Sequence, residues 1–151
     1  MITFAEEKFA DVWDEFRPLA YAHWLETMVP VTGEEFRPDV DRYIQFNSTG
    51  FYRLYTARRD GVLVGDMGIY ITDSMHTQKK IAREDSWYMR PDARSGRTAL
   101  RFLAFVEAEL RKHGVTSGET TTPPSAGSAR LLEAYGYKHI ANCYFKEFTH
   151  V

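Results

Sequence analysis

Over the first part of the chain, apolar residues return at every third or fourth position. Phe9, Val12, Trp13, Phe16, Leu19, Ala20, Trp24 and Leu25 recur in this way between Glu6 and Met28, the spacing of an amphipathic helix. Pro18 falls inside the run. It lacks an amide hydrogen and suits a first helical turn, so the pattern predicts two helices divided there. A short strand over 2–4 precedes them, and a third helix is expected from about Asp39 to Asn47, ending near Gly50. The rhythm then changes. Phe51 to Arg59 and Val62 to Thr72 are rich in β-branched and aromatic residues and flank Asp60-Gly61, a strong hairpin signal. A polar loop, Asp73 to Lys79, leads to a third strand from Ile81 to Arg90, stopped by Pro91. Helical spacing resumes from about Gly96 to His113, where Ala99, Leu100, Leu103, Val106 and Leu110 form the buried stripe and Gly114 a C-terminal cap. A polar strand over Val115 to Thr122, a helix from about Ser125 to Tyr135 ending at Gly136, and one or two closing strands within Tyr137 to Phe148 complete the order. The expected architecture is a mixed, mostly antiparallel sheet with helices on its faces, of the α/β (α+β) class.

Composition narrows the function. The chain has 151 residues, 44% of them hydrophobic. That suits one domain spanning 1–151 with a real core and excludes a disordered polymer. A formal charge of -2 argues against a broad nucleic-acid face, because phosphate neutralisation needs an excess of Lys and Arg. No apolar run approaches membrane-spanning length, and acidic Glu6 and Glu7 stand where a signal peptide is basic. The lone Cys143 allows no intrachain disulfide and suits a reducing compartment. A cytoplasmic protein is expected.

One local cluster departs from this neutral background. Arg90-Pro91-Asp92-Ala93-Arg94-Ser95-Gly96-Arg97-Thr98-Ala99 lies between a strand and the longest clear helix. A helix N-terminus offers unpartnered amides and a positive dipole end, and so binds phosphate well. Gly96 and Ser95 let the backbone approach closely, and Ala99 keeps the surface low. Arg94, Arg97 and Arg101 gather cations where the dipole disfavours them unless an anion offsets them. The alternative is an ordinary turn with solvated arginines. The motif lacks the Gly-Lys-Ser/Thr of a triphosphate loop and the Gly-x-Gly-x-x-Gly of a dinucleotide fold.

Together with Glu84-Asp85, Trp87-Tyr88-Met89-Arg90-Pro91 and Leu131-Leu132-Glu133-Ala134-Tyr135-Gly136-Tyr137, this turn resembles the Gcn5-related N-acetyltransferase (GNAT) superfamily. The resemblance runs from about Gly61 to the C-terminus. In length and layout, small bacteriophage acetyltransferases are the most similar, which would imply a host cytoplasm. The resemblance implies a splayed central strand pair and acetyl-CoA as co-substrate. The pyrophosphate would rest on the amides of Arg94 to Ala99 (Arg94, Ser95, Gly96, Arg97, Thr98, Ala99) with Arg101 nearby, and the pantetheine arm would lie against the backbone of Tyr88 and Met89. Arg97 stands where the family's middle glycine is usual, and Gly96 lies one residue earlier.

The resemblance also assigns chemistry. A carboxylate on the acidic strand is the usual base for the amine, which makes Glu84 and Asp85 candidates. Strand alternation aims one of them into the cleft, and a bulge would reverse the parity. Asp85 is favoured slightly, on the expectation that it shares a face with Trp87 and Met89. The alternative is pairing of the carboxylates with Arg83, Lys79 or Lys80. The family's tyrosine acid falls on Leu132, a departure. Tyr135, three residues on, is the remaining candidate, with packing at the helix end as its other role. His23, Trp24 and His76 would line the acceptor side, or the histidines are structural. No metal site is expected, since His139 and Cys143 form one isolated match, and Cys143 is expected in the core. The implied function is N-acetylation of a primary amine on a small molecule, a protein lysine or N-terminus, or a modified nucleobase. A homodimer is allowed. The rival readings are a catalytically silent CoA-binding module and a protein-interaction domain docking through its aromatic N-terminal helices.

Overall fold

The computed structural model describes residues 1–123 and 127–149. Its sheet runs β1 (Ile2–Glu7), β2 (Tyr52–Arg59), β3 (Val62–Asp73), β4 (Lys80–Met89) and β5 (Ser117–Glu119) in sequential order. The first three pairings are antiparallel, and β5 joins β4 in parallel. The β2–β3 hairpin closes through Asp60 and Gly61, both with positive φ (50° and 84°), the geometry that matches strand twist and explains the Asp-Gly pair.

Two hydrophobic layers cover the sheet. On one face lie α1 (Phe9–Thr27) and α3 (Val40–Thr49), with α2 (Val29–Thr32) between them in sequence. There Phe9, Val12, Phe16 and Leu19 pack with Tyr52, Leu54, Leu63 and Tyr88. On the other face α4 (Gly96–Lys112) buries Phe102, Leu103, Val106 and Leu110 against Val64, Met67, Ile69, Ala82 and Met89, joined by Leu132 of α5 (Ser128–Ala134). Ala99 and Leu100, expected in that stripe, are only half-buried, and Phe102 takes the deep position.

Pro18 does not divide α1, which is one helix of 19 residues. The proline and Asp14, whose carbonyl it cannot serve, are both exposed, so water can meet the orphan group. The stripe Phe9, Val12, Phe16, Leu19 holds both halves to one surface, and tertiary burial overrides the local break. The polar strand shrinks to β5, three residues long.

The closing strands do not form, since residues 137–149 carry no strand. Ile140, Tyr144 and Phe148 stay exposed, and Cys143 is exposed rather than buried in the core. A strand needs an edge to pair with, and β5 offers too short a one. The helix expected from Ser125 is described from Ser128, because residues 124–126 lie outside the described residues.

Candidate active site

Between β4 and α4 the chain makes a single 3-10 turn, Pro91–Ala93, and then extends through Arg94 and Ser95. Ser95 caps α4, its Oγ accepting from the Thr98 amide at 3.1 Å, while the Ala99 amide donates to the Ser95 carbonyl. The amides of Ser95, Gly96 and Arg97 have no acceptor among the described residues. Three consecutive free N–H groups at the positive end of a 17-residue helix form an anion cradle. Arg97 is exposed at this first turn and makes no ion pair among the described residues. Arg101 sits with its guanidinium 5.7 Å from the Phe4 ring centre.

Arg94 turns away from the cradle. Its Nε donates to the Met89 carbonyl at 2.8 Å, an Nη donates to Glu26 at 2.7 Å, and the guanidinium lies 5.1 Å from the Tyr88 ring centre. His23 stacks on the same Tyr88 ring at 4.9 Å. Burial holds the His23 imidazole below its ordinary pKa, with Glu26 opposing the shift and Arg94 adding to it. These contacts clamp the end of α1 to the end of β4. Trp24 is spent on local structure, its Nε1 donating to the Glu34 carbonyl at 2.7 Å. His76 lies exposed in the β3–β4 connection, most of the length of β4 away from Tyr88. Of the three residues expected on the acceptor side, His23 alone touches the end of β4 that leads to the cradle.

The parallel pairing of β4 with β5 stops at Arg83 and Glu119, so residues 84–89 have no strand partner on that edge among the described residues. Tyr88 and Met89 end this unpaired edge, just before the Pro91–Ala93 turn that leads into α4. Within the same stretch Ser86 pairs with Gly68 and Glu84 with Ile69, leaving Asp85 without a partner in a bulge. The bulge resolves the parity. Glu84 lines a cavity of about 490 Å³ on the α4 side together with Trp87 and Tyr135, and accepts from the Thr121 amide and the Thr120 hydroxyl, both at 3.4 Å. Asp85 faces the α1/α3 layer, where Tyr43 Oη donates to its Oδ2 at 2.6 Å. The expectation that Asp85 shares a face with Trp87 and Met89 is thus corrected: those residues pack in the α4 layer, because the bulge shifts the alternation. Arg83 pairs with Glu119 at 3.3 Å and with neither candidate carboxylate.

Both carboxyls titrate above the ordinary range. Burial raises Glu84, against hydrogen bonds from Thr121 and Thr120, with Asp85 adding to the rise. Burial by surrounding protein also raises Asp85, although the residue keeps an open side to water, and the phenols of Tyr43 and Tyr70 work against it. Tyr135 is half-buried at the end of α5, and Leu132 is 6% exposed in the core. No group of three or more metal-ligating residues exists among the described residues. Sequence reasoning missed Tyr43, Tyr70 and the Glu26–Arg94 pair. All three meet the site across long sequence separations, and only the aromatic richness of α3 and β3 hinted at them.

The acetyltransferase (GNAT) family matches residues 9–137, and no curated protein matches. Among solved structures, the chain is similar to a ribosomal-protein-alanine N-acetyltransferase from Brucella melitensis biovar Abortus 2308 (20% identity, 99% of this chain and 100% of that one, TM-score 0.72). It is similar to an aminoglycoside acetyltransferase from an uncultured soil metagenomic sample (11%, 99% of each chain, 0.78). It is also similar to the aminoglycoside acetyltransferase AAC(6')-Iy, in complex with a CoA-containing bisubstrate analogue (16%, 99% of each chain, 0.71). At these identities the structures speak for the fold, and the family match covers most of the chain. The chain belongs to the acetyltransferase (GNAT) family.

Proposed function

We propose that this protein transfers an acetyl group from acetyl-CoA to the nitrogen of a primary amine by direct attack. The observation that carries the reading is the end of β4–β5 pairing at Arg83 and Glu119, followed along the chain by three amides at the start of α4 that have no acceptor among the described residues. The cradle suits a pyrophosphate in sign, and the unpaired edge at Tyr88 and Met89 suits an extended amide-bearing arm. When bound, acetyl-CoA supplies an activated thioester. Ser95, Gly96 and Arg97 bind its phosphates through their amides, Arg97 and Arg101 add positive charge, and β4 orients the arm. Arg94 fixes the turn to α1 through Glu26 and Met89.

Asp85 is the favoured base. It faces water, its bulge lies near the start of the unpaired edge, and Tyr43 fixes its Oδ2. Glu84, already accepting from Thr120 and Thr121, holds the far wall, and Tyr135, which lines the same cavity, is the candidate to protonate the leaving thiolate from the α4 side. His23 lies closest to an acceptor approaching between α1 and β4. The proteins similar in fold are described as acting on a ribosomal-protein alanine and on aminoglycosides, and what such acceptors share is an amine nitrogen. A lysine, a protein N-terminus, a small molecule or a modified nucleobase all qualify. A CoA-binding module without turnover is the second reading, favoured by the burial of Leu132 where the family carries a tyrosine acid.

Thiol release from acetyl-CoA, followed with a thiol-reactive chromophore over a panel of primary amines, tests the proposal. Amine-dependent release supports it. Retained CoA with no release supports the module instead.

A further inference from the structure

Asp66 is fully buried in the middle of β3. Alternation with Met67 and Ile69, which face α4, turns it toward the α1/α3 layer. Its Oδ2 accepts a hydrogen bond from Ser86 Oγ at 2.6 Å, and its Oδ1 has no partner among the described residues. Ser86 immediately follows the bulged Asp85, and its Oγ also accepts from the Gly68 amide at 3.3 Å. A Cβ at Gly68 would stand 2.5 Å from the Tyr52 hydroxyl and 2.9 Å from Ser86 Oγ, so the glycine is what admits both hydroxyls to the strand.

A fully buried carboxylate with one hydroxyl donor and no ion pair among the described residues is poorly stabilised, and the neutral acid suffers far less from burial. Asp85 lies on the same side of the sheet, with water and the Tyr43 phenol to support a charge. Two nearby carboxyls resist ionising together, so the better solvated one takes the charge. We infer that Asp66 holds a proton in the resting protein and, through Ser86, positions the β4 bulge so that Asp85, and not Asp66, is the anion of the pair. The part played by Asp85 rests on the acyl-transfer reading; the proton on Asp66 does not.

Burial raises the Asp66 carboxyl to about 7, the Ser86 hydroxyl opposes the shift, and Asp85 and Glu84 add to it. The other titratable groups around this layer among the described residues include Tyr52 of β2, Tyr70 of β3, Tyr43 of α3 and Tyr88 of β4, with Glu26 and Arg94 paired beside Tyr88. α1 places Phe9, Val12, Phe16 and Leu19 on this side and His23 against Tyr88. The folded value lies above the unfolded one, so the native state keeps a proton that the unfolded chain releases. This group's contribution to stability is present in full at acid pH, falls as pH rises toward about 7, and is then lost.

The test is a pH titration of the full chain labelled with ¹³C at the aspartate carboxyls. One resonance should titrate near neutrality, be absent in Asp66→Asn and move to higher pH in Ser86→Ala. Should Asp66→Asn fail to fold, persistence of the resonance in Asp85→Asn excludes that neighbour, and its displacement in Ser86→Ala assigns it to Asp66. Urea midpoints should fall between pH 5 and pH 8 in wild type and fall less in Asp66→Asn. Ser86→Ala should lower kcat several-fold at unchanged KM for acetyl-CoA, with Ser86→Thr restoring it. If every aspartate carboxyl is ionised by pH 6, the inference is overturned. Unchanged turnover in Ser86→Ala removes the positioning role alone. If no form acetylates any amine while the resonance still titrates near 7, the acyl-transfer reading fails and the buried proton stands.

Discussion

Asp85 and Glu84 are neighbours in sequence but face opposite layers, so removing each charge probes a different side of the sheet. Asp85→Asn should lower turnover by about 10²–10⁴ and erase the acidic limb of the pH–rate profile. That limb should lie above the ordinary carboxylate range, because burial raises the Asp85 pKa. Glu84→Gln, whose carboxylate already accepts from Thr120 and Thr121, should stay within a few-fold of wild type. Rate profiles of both variants check this, and a reversed ranking would move the chemistry to the α4 side. The sequence offered the pair but could not choose, because a bulge is invisible without the partner strand. The register across Gly68 and Ile69 fixes which layer each carboxyl faces.

At the scale of elements, α4 and α1 can be tested separately. Gly96 is the first residue of α4 and follows an extended Ser95, a setting in which proline is well tolerated. A Cβ there would meet only Leu131 Cδ1, at 3.8 Å. Gly96→Pro should therefore leave the melting temperature near wild type while removing one of the three cradle amides and weakening acetyl-CoA binding. Isothermal titration beside a melting curve separates the two effects. In α1, an exposed proline sits inside a continuous helix. Pro18→Ala should restore a helical hydrogen bond and stabilise the protein by up to about 3 kcal/mol, read from urea unfolding with an unchanged helical circular dichroism signal. A loss of stability instead would mean that the helix is broken there in solution.

For the whole molecule, ligand linkage is the broadest test. Acetyl-CoA at about 100 times its dissociation constant should add roughly 2.7 kcal/mol, a rise of about 5–10 °C in melting temperature for a domain of this size. Absence of any rise at millimolar acetyl-CoA would overturn the cofactor assignment. Asp85→Asn should keep the full shift, because its carboxylate faces away from the cradle's layer, and differential scanning fluorimetry on both proteins checks it.

The sequence by itself determined what depends on neighbours along the chain. The Asp60-Gly61 hairpin, the helix of 96–112, the third helix ending at Gly50 and the Ser95-capped turn into α4 all follow from local periodicity, positive-φ residues and capping chemistry. Of the amides expected in an anion site from Arg94 to Ala99, those of Arg94, Thr98 and Ala99 are bonded within the turn itself. Tertiary structure decided whatever needs a partner far away in sequence. The burial of Phe9, Val12, Phe16 and Leu19 carries α1 through Pro18. The short β5 leaves the tail without strands. The clamp of Arg94 on Glu26 joins residues 68 positions apart, and Tyr43 reaches Asp85 across 42. Local patterns fix which conformation a segment prefers, whereas the facing of a side chain and the charge it carries depend on which surface removes it from water.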